Sequence, residues 1–167
     1  MKAAVVVTDA NAVPTDWSPL ATMLAAACEE HVILRPAELP VPVPGPQLSL
    51  DRSDELSALK AALTWSQGEP ILLVAADIAS PSAELARYME YVRAGHDAVV
   101  PMLDDEDHQP LFAIYTAACI GGVNSALLSG KFRIAPFLGG LNVRYVATTE
   151  VAKFGDAEVI LSRGPTP

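Results

Sequence analysis

Asp77 is the residue whose position says most about chemistry. It directly follows the apolar run Ile71-Leu72-Leu73-Val74-Ala75-Ala76 and precedes a predicted helix start at Ser80-Pro81. In open α/β sheets, ligands bind beyond the carboxyl ends of the strands. A carboxylate at that point can hold Mg²⁺ against the phosphates of a nucleotide. It can equally be a turn residue that caps Ser80 and its neighbours. A second acidic group, Asp104-Asp105-Glu106-Asp107, is followed by His108. It offers further metal ligands, or it is a solvated loop tip. His31 and His96 stand just before predicted strands, where a structural or exposed role is expected. No serine or cysteine sits in a G-x-S-x-G setting, so acyl transfer has no support. Neither G-x-G-x-x-G nor G-x-x-x-x-G-K-[ST] occurs.

These groups need a scaffold, and the apolar pattern supplies one in which short β-rich runs alternate with longer helical stretches. Residues 3–7 form a short continuous apolar run, as expected of a strand buried on both faces. Trp17, Leu20, Leu24 and Ala27 recur near helical spacing, with Pro19 in the first turn. Residues 32–34 read as a second strand. Residues 36–46 hold five of the 14 prolines and read as an extended surface loop. Residues 47–50 form a short strand. Ser53 is the expected N-cap of a helix through Leu56, Leu59 and Leu63 that stops before Gly68. Residues 71–76 carry the strongest buried-strand signal.

Further on, Leu85, Tyr88, Met89 and Val92 give the inner face of a helix ending at Gly95. Residues 98–102 and 111–115 read as strands around the acidic loop. A helix ending near Ser129-Gly130, a short helix near 135–138 and a strand at 143–147 complete the expected elements. This order predicts an α/β fold of three layers, a mostly parallel twisted sheet with helices on both faces. One domain over residues 1–161 and a loose tail over 162–167 are expected.

Composition narrows the function. Eleven Lys and Arg against 20 Asp and Glu leave a net charge of −9. A nucleic-acid backbone is therefore not an expected partner, whereas a small anionic ligand held by backbone amides and a metal ion is. The first apolar run is too short for a signal peptide, and no stretch approaches 18 uninterrupted apolar residues, so no membrane span is expected. Cys28 and Cys119 lack C-x-x-C spacing and read as reduced core thiols. Together these features predict a cytoplasmic setting.

Several segments, in order, resemble the molybdenum-cofactor guanylyltransferase family. One is the strand Ile71-Leu72-Leu73-Val74-Ala75-Ala76 ending in Asp77. Another is Gly95-His96-Asp97-Ala98-Val99-Val100-Pro101, the acidic loop, then Gln109-Pro110-Leu111-Phe112-Ala113-Ile114-Tyr115, the most specific match. A third is Leu127-Leu128-Ser129-Gly130-Lys131-Phe132-Arg133 with Pro136-Phe137-Leu138 and Asn142-Val143-Arg144-Tyr145-Val146. Asp51 with Leu56-Ser57-Ala58-Leu59 loosely matches an aspartate and a small-residue helix that help hold the guanine nucleotide. The resemblance covers roughly residues 47–147 and implies a nucleotide-diphospho-sugar-transferase-like fold. It also implies GTP as nucleotide, a phosphorylated pterin such as molybdopterin as acceptor, and Mg²⁺ on Asp77.

The chain departs from that pattern at its first crossover. The family has a loop there rich in Gly, with Ser, Arg and Lys at set places. Glycines let amides approach the triphosphate, and the cations neutralise charge developing in the transition state. Here Thr8-Asp9-Ala10-Asn11-Ala12-Val13-Pro14-Thr15-Asp16-Trp17 contains no Gly, Arg or Lys. Phe154-Gly155-Asp156-Ala157-Glu158 likewise lacks the asparagines and Thr-Pro that the family places near its C-terminus. Thr8 and Asn11 are the polar groups left to face a nucleotide. The sequence thus predicts a guanylyltransferase-like protein with weakened or lost catalysis. One alternative is a non-catalytic binding or partner module on the same fold, with a protein partner as the source of the missing cations. Another is a different small-molecule enzyme using the 104–108 loop for metal.

Overall fold

A computed structural model describes residues 1–42 and 45–164 of the chain. Seven strands form one sheet: β1 (Lys2–Val6), β2 (Glu30–Pro36), β3 (Gln47–Leu50), β4 (Ile71–Ala75), β5 (Ala98–Pro101), β6 (Phe112–Tyr115) and β7 (Val143–Val146). Their order across the sheet is β3-β2-β1-β4-β6-β5-β7. Every pairing is parallel except those of β6, which runs antiparallel to both β4 and β5. All five residues of β4 are buried, as are four of the five in β1, so these strands form the centre of the core. Continuous Val, Ile, Leu and Ala suit strands that meet helices on both faces. Parallel registry sets Val6 opposite Ala75, and the Ala76 amide donates to the Val6 carbonyl at 2.9 Å. The chain segments leaving β1 and β4 therefore emerge side by side.

Helices α1 (Ser18–Ala27) and α3 (Ala83–Tyr91) pack together on one face. Helices α2 (Glu55–Ser66) and α4 (Ile120–Leu128) pack together on the other, with α2 lying against β1 and β4. Three one-turn helices, α5 (Ile134–Phe137), α6 (Thr148–Val151) and α7 (Ala157–Ile160), fill out the C-terminal part. The three-layer α/β arrangement is the one expected from the alternation of short and long apolar segments.

Several local details differ from expectation. The cap of α2 is Asp54, not Ser53: its carboxylate accepts from both the amide and the hydroxyl of Ser57, each at 2.8 Å. An ionised acceptor serving two donors outcompetes a neighbouring hydroxyl. Helix α3 opens later than Ser80-Pro81, at Ala83, with Ser82 accepting from the Leu85 amide. Pro36 is the last residue of β2, at its pairing with Leu50, and not the first residue of a loop. The loop that follows is pinned by Arg35, which donates to the carbonyls of Pro36, Ala37 and Leu39. Val43 and Pro44 of that loop lie outside the described residues, as do residues 165–167 of the expected tail. Within that expected tail, Arg163 forms an isolated antiparallel bridge with Ile78 in the turn after β4. Helices α6 and α7 have no counterpart in the expected elements, because four residues show too little periodicity to be read.

The C-terminal elements are tied to the sheet by one polar network. Glu150 of α6 accepts from Tyr88 of α3 at 2.5 Å and from Arg144 of β7 at 2.7 Å, and also from the Ala147 amide. These donors, Arg144 foremost and then Tyr88, hold the Glu150 carboxyl down at about 2. A carboxyl depressed on folding stabilises the native state above its ordinary titration range and loses that contribution as pH falls toward its folded value. Glu150→Gln is therefore expected to lower the thermal midpoint at pH 7 and to flatten its decline between about pH 4.5 and 2, measured by circular dichroism.

Candidate functional site

A cavity of about 190 Å³ opens at the carboxyl ends of β1 and β4. Asn11, Asp16, Leu20, Asp77, Ile78 and Gly164 are among its lining residues. Its place follows from the topology. The connection from β1 leads outward to β2 and that from β4 leads the opposite way to β5, so the loops diverge and leave a crevice.

The first crossover forms one wall. After β1 it makes a short 3₁₀ turn, Ala10–Ala12, capped by Asp9, whose carboxylate accepts from the amides of Asn11 at 2.7 Å and Ala12 at 3.2 Å. Asp16 accepts from the Ser18 amide at 2.9 Å, just where α1 begins. That backbone bond is the main reason its carboxyl lies below the usual range. Three amides, those of Asn11, Ala12 and Ser18, are thus bonded to the chain's own carboxylates, and the wall carries two aspartates and no basic side chain.

Asp77 forms the opposite wall, in the turn after β4. Among the described residues its carboxylate caps no helix. Instead Oδ1 accepts from Nε of Arg163 at 2.8 Å, and Nη2 of the same guanidinium reaches Thr8 Oγ1 at 3.3 Å. The Asp77 side chain is 13% exposed and that of Arg163 28%. Thr8, Asn11 and Asp77 are thus brought to one place. Asp51 is not. It follows β3, which is separated from β1 by β2, about 10 Å across the sheet. There it lines a different cleft of about 550 Å³ with Arg52, Lys60, Trp65 and Phe132, where the Arg52 guanidinium lies 4.0 Å from the Phe132 ring centre.

Arg163 is the functional candidate that sequence reasoning missed. A lone arginine between Ser162 and Gly164, beyond the last expected element, carries no motif, and only the fold reveals that it returns to Asp77.

The other candidates are accounted for locally. Asp104 accepts from the amides of Glu106 and Asp107, each at 2.8 Å, and Asp107 accepts from the His108 amide, so the acidic loop is a self-capped turn. Among the described residues no group of three or more His, Cys, Asp or Glu side chains could hold a metal. Burial pushes the Cys28 and Cys119 thiols up to about 11, which removes them as nucleophiles at neutral pH. At Asp77 the available donors are one carboxylate and one hydroxyl. That set fits Mg²⁺ arriving on phosphates, which typically takes one or two carboxylates from the protein, and does not fit an ion held by protein alone.

Comparison with known proteins agrees with this geometry. The sequence model of the family described as MobA-like NTP transferase domain matches residues 15–140. A protein of Pelotomaculum thermopropionicum named "Probable molybdenum cofactor guanylyltransferase" is 34% identical over 112 residues, 67% of this chain and 54% of that protein. One of the same name from Methanosarcina mazei is 26% identical over 107 residues, 64% of this chain and 48% of that protein. The chain therefore spans about half the length of these curated relatives. Molybdopterin-guanine dinucleotide biosynthesis protein A from Archaeoglobus fulgidus superposes with a TM-score of 0.79 at 21% identity, covering 100% of this chain and 93% of that one. The 2-C-methyl-D-erythritol 4-phosphate cytidylyltransferase of Thermus thermophilus gives 0.69 at 14% identity, with the same coverage. At these identities the two structures establish the fold.

The Asp77–Arg163 pair contributes little to folding, because a partly hydrated ion pair is worth about 0–1 kcal/mol. Asp77→Asn and Arg163→Ala are each expected to shift the urea unfolding free energy by about 1 kcal/mol or less. A much larger loss would make the pair a structural clamp.

Proposed function

The chain belongs to the MobA-like NTP transferase family, and from that premise we propose that it binds a Mg²⁺–nucleoside triphosphate, GTP, in the crevice between β1 and β4. The single observation that carries the proposal is the Asp77 carboxylate, which lines the cavity in the turn after β4 and shares the Arg163 guanidinium with Thr8. Asp77 would hold the metal, which when bound offsets phosphate charge. Thr8 and Asn11 would donate to phosphate oxygens. Asp51 would lie toward the base, along the same carboxyl edge of the sheet, since β3 runs parallel to β1 through β2.

The corresponding reaction is nucleotidyl transfer to a phosphorylated pterin such as molybdopterin. An acceptor phosphate oxygen bonds to the α-phosphorus, the bond to the α–β bridging oxygen breaks, and pyrophosphate leaves. Charge develops on the non-bridging oxygens, and this chain is poorly equipped to meet it. One preorganised donor is worth about 3–4 kcal/mol to such a transition state, the crossover carries no basic side chain, and the Asn11 amide at the cavity already serves Asp9. Catalysis is therefore weakened or lost. The same observation favours the second reading, a binding or partner module that keeps the fold and engages nucleotide or a protein without turnover. The free thiols of Cys28 and Cys119 support a cytoplasmic setting.

Calorimetric titration with GTP in the presence and absence of Mg²⁺ tests the proposal. Saturable binding that strengthens with Mg²⁺ is expected, with the Mg²⁺ dependence lost in Asp77→Ala. Pyrophosphate release with molybdopterin present should stay close to background. Absence of saturable binding at millimolar GTP with Mg²⁺ would sink the nucleotide reading and leave the protein-partner module.

A further inference from the structure

Residues 8–17 carry no cation, yet the fold delivers one to the place where they begin. Arg163 donates from Nε to Asp77 and from Nη2 to Thr8, the first residue of the crossover. Backbone contacts fix its position. Ile78 and Arg163 form an antiparallel bridge, and two residues earlier the Leu161 carbonyl accepts from the buried Gln109 side chain at 2.8 Å. Gly164 follows with φ of 153° and lines the cavity, so the chain turns at its mouth. Among the described residues, Nη1 has no acceptor. The guanidinium is thus a planar fork with one edge on a carboxylate, a long contact to a hydroxyl, and donor capacity left over. That geometry suits a tetrahedral oxyanion.

We propose that Arg163 is the phosphate-binding cation of this site, supplied from the far end of the chain in place of basic residues in the first crossover, and that Asp77 restrains it. While Asp77 accepts from Nε, the carboxylate neutralises the guanidinium and occupies its best-placed donor. When that carboxylate is engaged elsewhere, the fork is released toward a phosphate at Thr8. The inference rests on the nucleotide reading above and deepens it: it assigns the anion contact within the same crevice and makes that contact conditional on Asp77. Arg163 suits the role better than a crossover lysine would here. Asp9 and Asp16 hold the crossover in its present shape by capping its amides, so the cation has to arrive from a segment they do not control.

The test removes metal altogether. Binding of GTP and of inorganic triphosphate is measured by calorimetry in EDTA for the wild type, Asp77→Asn, Arg163→Ala and the double variant. Thermal midpoints establish that each is folded. Asp77→Asn is expected to bind both probes at least about tenfold more tightly than the wild type, since a released guanidinium can then bond to phosphate. The gain should vanish in the double variant, and D77N/R163K should keep only part of it. Guanosine, which has no phosphate, should show no dependence on residue 163. If D77N shows no gain, or if the gain survives in full without the arginine, the inference is overturned, because charge removal alone would then explain it. Absence of Mg²⁺-dependent GTP binding by the wild type, with the Arg163-dependent gain intact, overturns the nucleotide reading alone. Mg²⁺-dependent GTP binding that is indifferent to Arg163→Ala overturns only the role of Arg163.

Discussion

Val6 pairs with Ala75 in a parallel ladder buried on both sides of the sheet, and the position of every group at the crevice follows from that pairing. The two strands run in register for five residues, so the chain leaves both at the same height. Thr8 and Asp77 consequently stand close enough to share one guanidinium. A slip of one residue would shift them by about 3.3 Å along the strands, and a planar fork could no longer reach both. The pairing is held by burial: Val5, Val6, Leu72, Leu73 and Val74 are almost wholly removed from water, at about 1.5–3 kcal/mol for each larger side chain. Helix α2 on one face and the α1–α3 pair on the other keep it dry. The core thus sets a spacing between two loops that the loops could not set for themselves.

Within that frame the distribution of charge is unusual for an anion site. The wall formed by the first crossover uses Asp9 and Asp16 as caps, which stabilises a short 3₁₀ turn and the start of α1 and occupies the amides of Asn11, Ala12 and Ser18. With a net charge of −9, the chain as a whole repels polyanions. A positive charge comes from Arg163, and its pairing with Asp77 offsets one of the three carboxylates around the crevice. Both partners retain some exposure, so the pair is cheap to open. A contact of small folding value beside the crevice between β1 and β4 is better suited to exchange than to structural support.

Much of this was legible in the sequence, and the failures have identifiable causes. The run 71–76 announced a buried strand and the place of Asp77 just beyond its carboxyl end, because both depend on local pattern. The acidic, glycine-free crossover was visible for the same reason. Asp54 and Ser82 were displaced by one or two residues from the expected caps because adjacent polar residues compete and only backbone geometry decides between them. The distance of Asp51 from Asp77 was not legible: it follows β3, three places from β4, and lines a separate cleft, since strand order cannot be read from periodicity. Arg163 was invisible because its significance arises from contacts with residues 86 and 155 positions earlier. The expected tail begins as an anchored segment for the same reason.

The fold is shared with transferases of several names, and it does not by itself carry their activity. In this chain the sheet determines a carboxylate beyond the end of β4, a hydroxyl beyond the end of β1, and a crevice beside them. The chemistry of the first crossover is determined by the loop, which carries two aspartates that cap its amides and no basic side chain. These two parts need not change together, because the strand registry is enforced by the core and the loop chemistry is not. A loop that turns its amides inward onto its own aspartates loses affinity for phosphate without loosening the sheet, and a cation entering from the C-terminal segment can restore anion binding without rebuilding the loop. Restored binding is a weaker demand than restored catalysis: binding needs one well-placed charge, whereas transfer needs several donors aligned on oxygens that become more negative only in the transition state. A single guanidinium opposite Asp77 therefore supports recognition of a phosphorylated ligand more readily than its turnover.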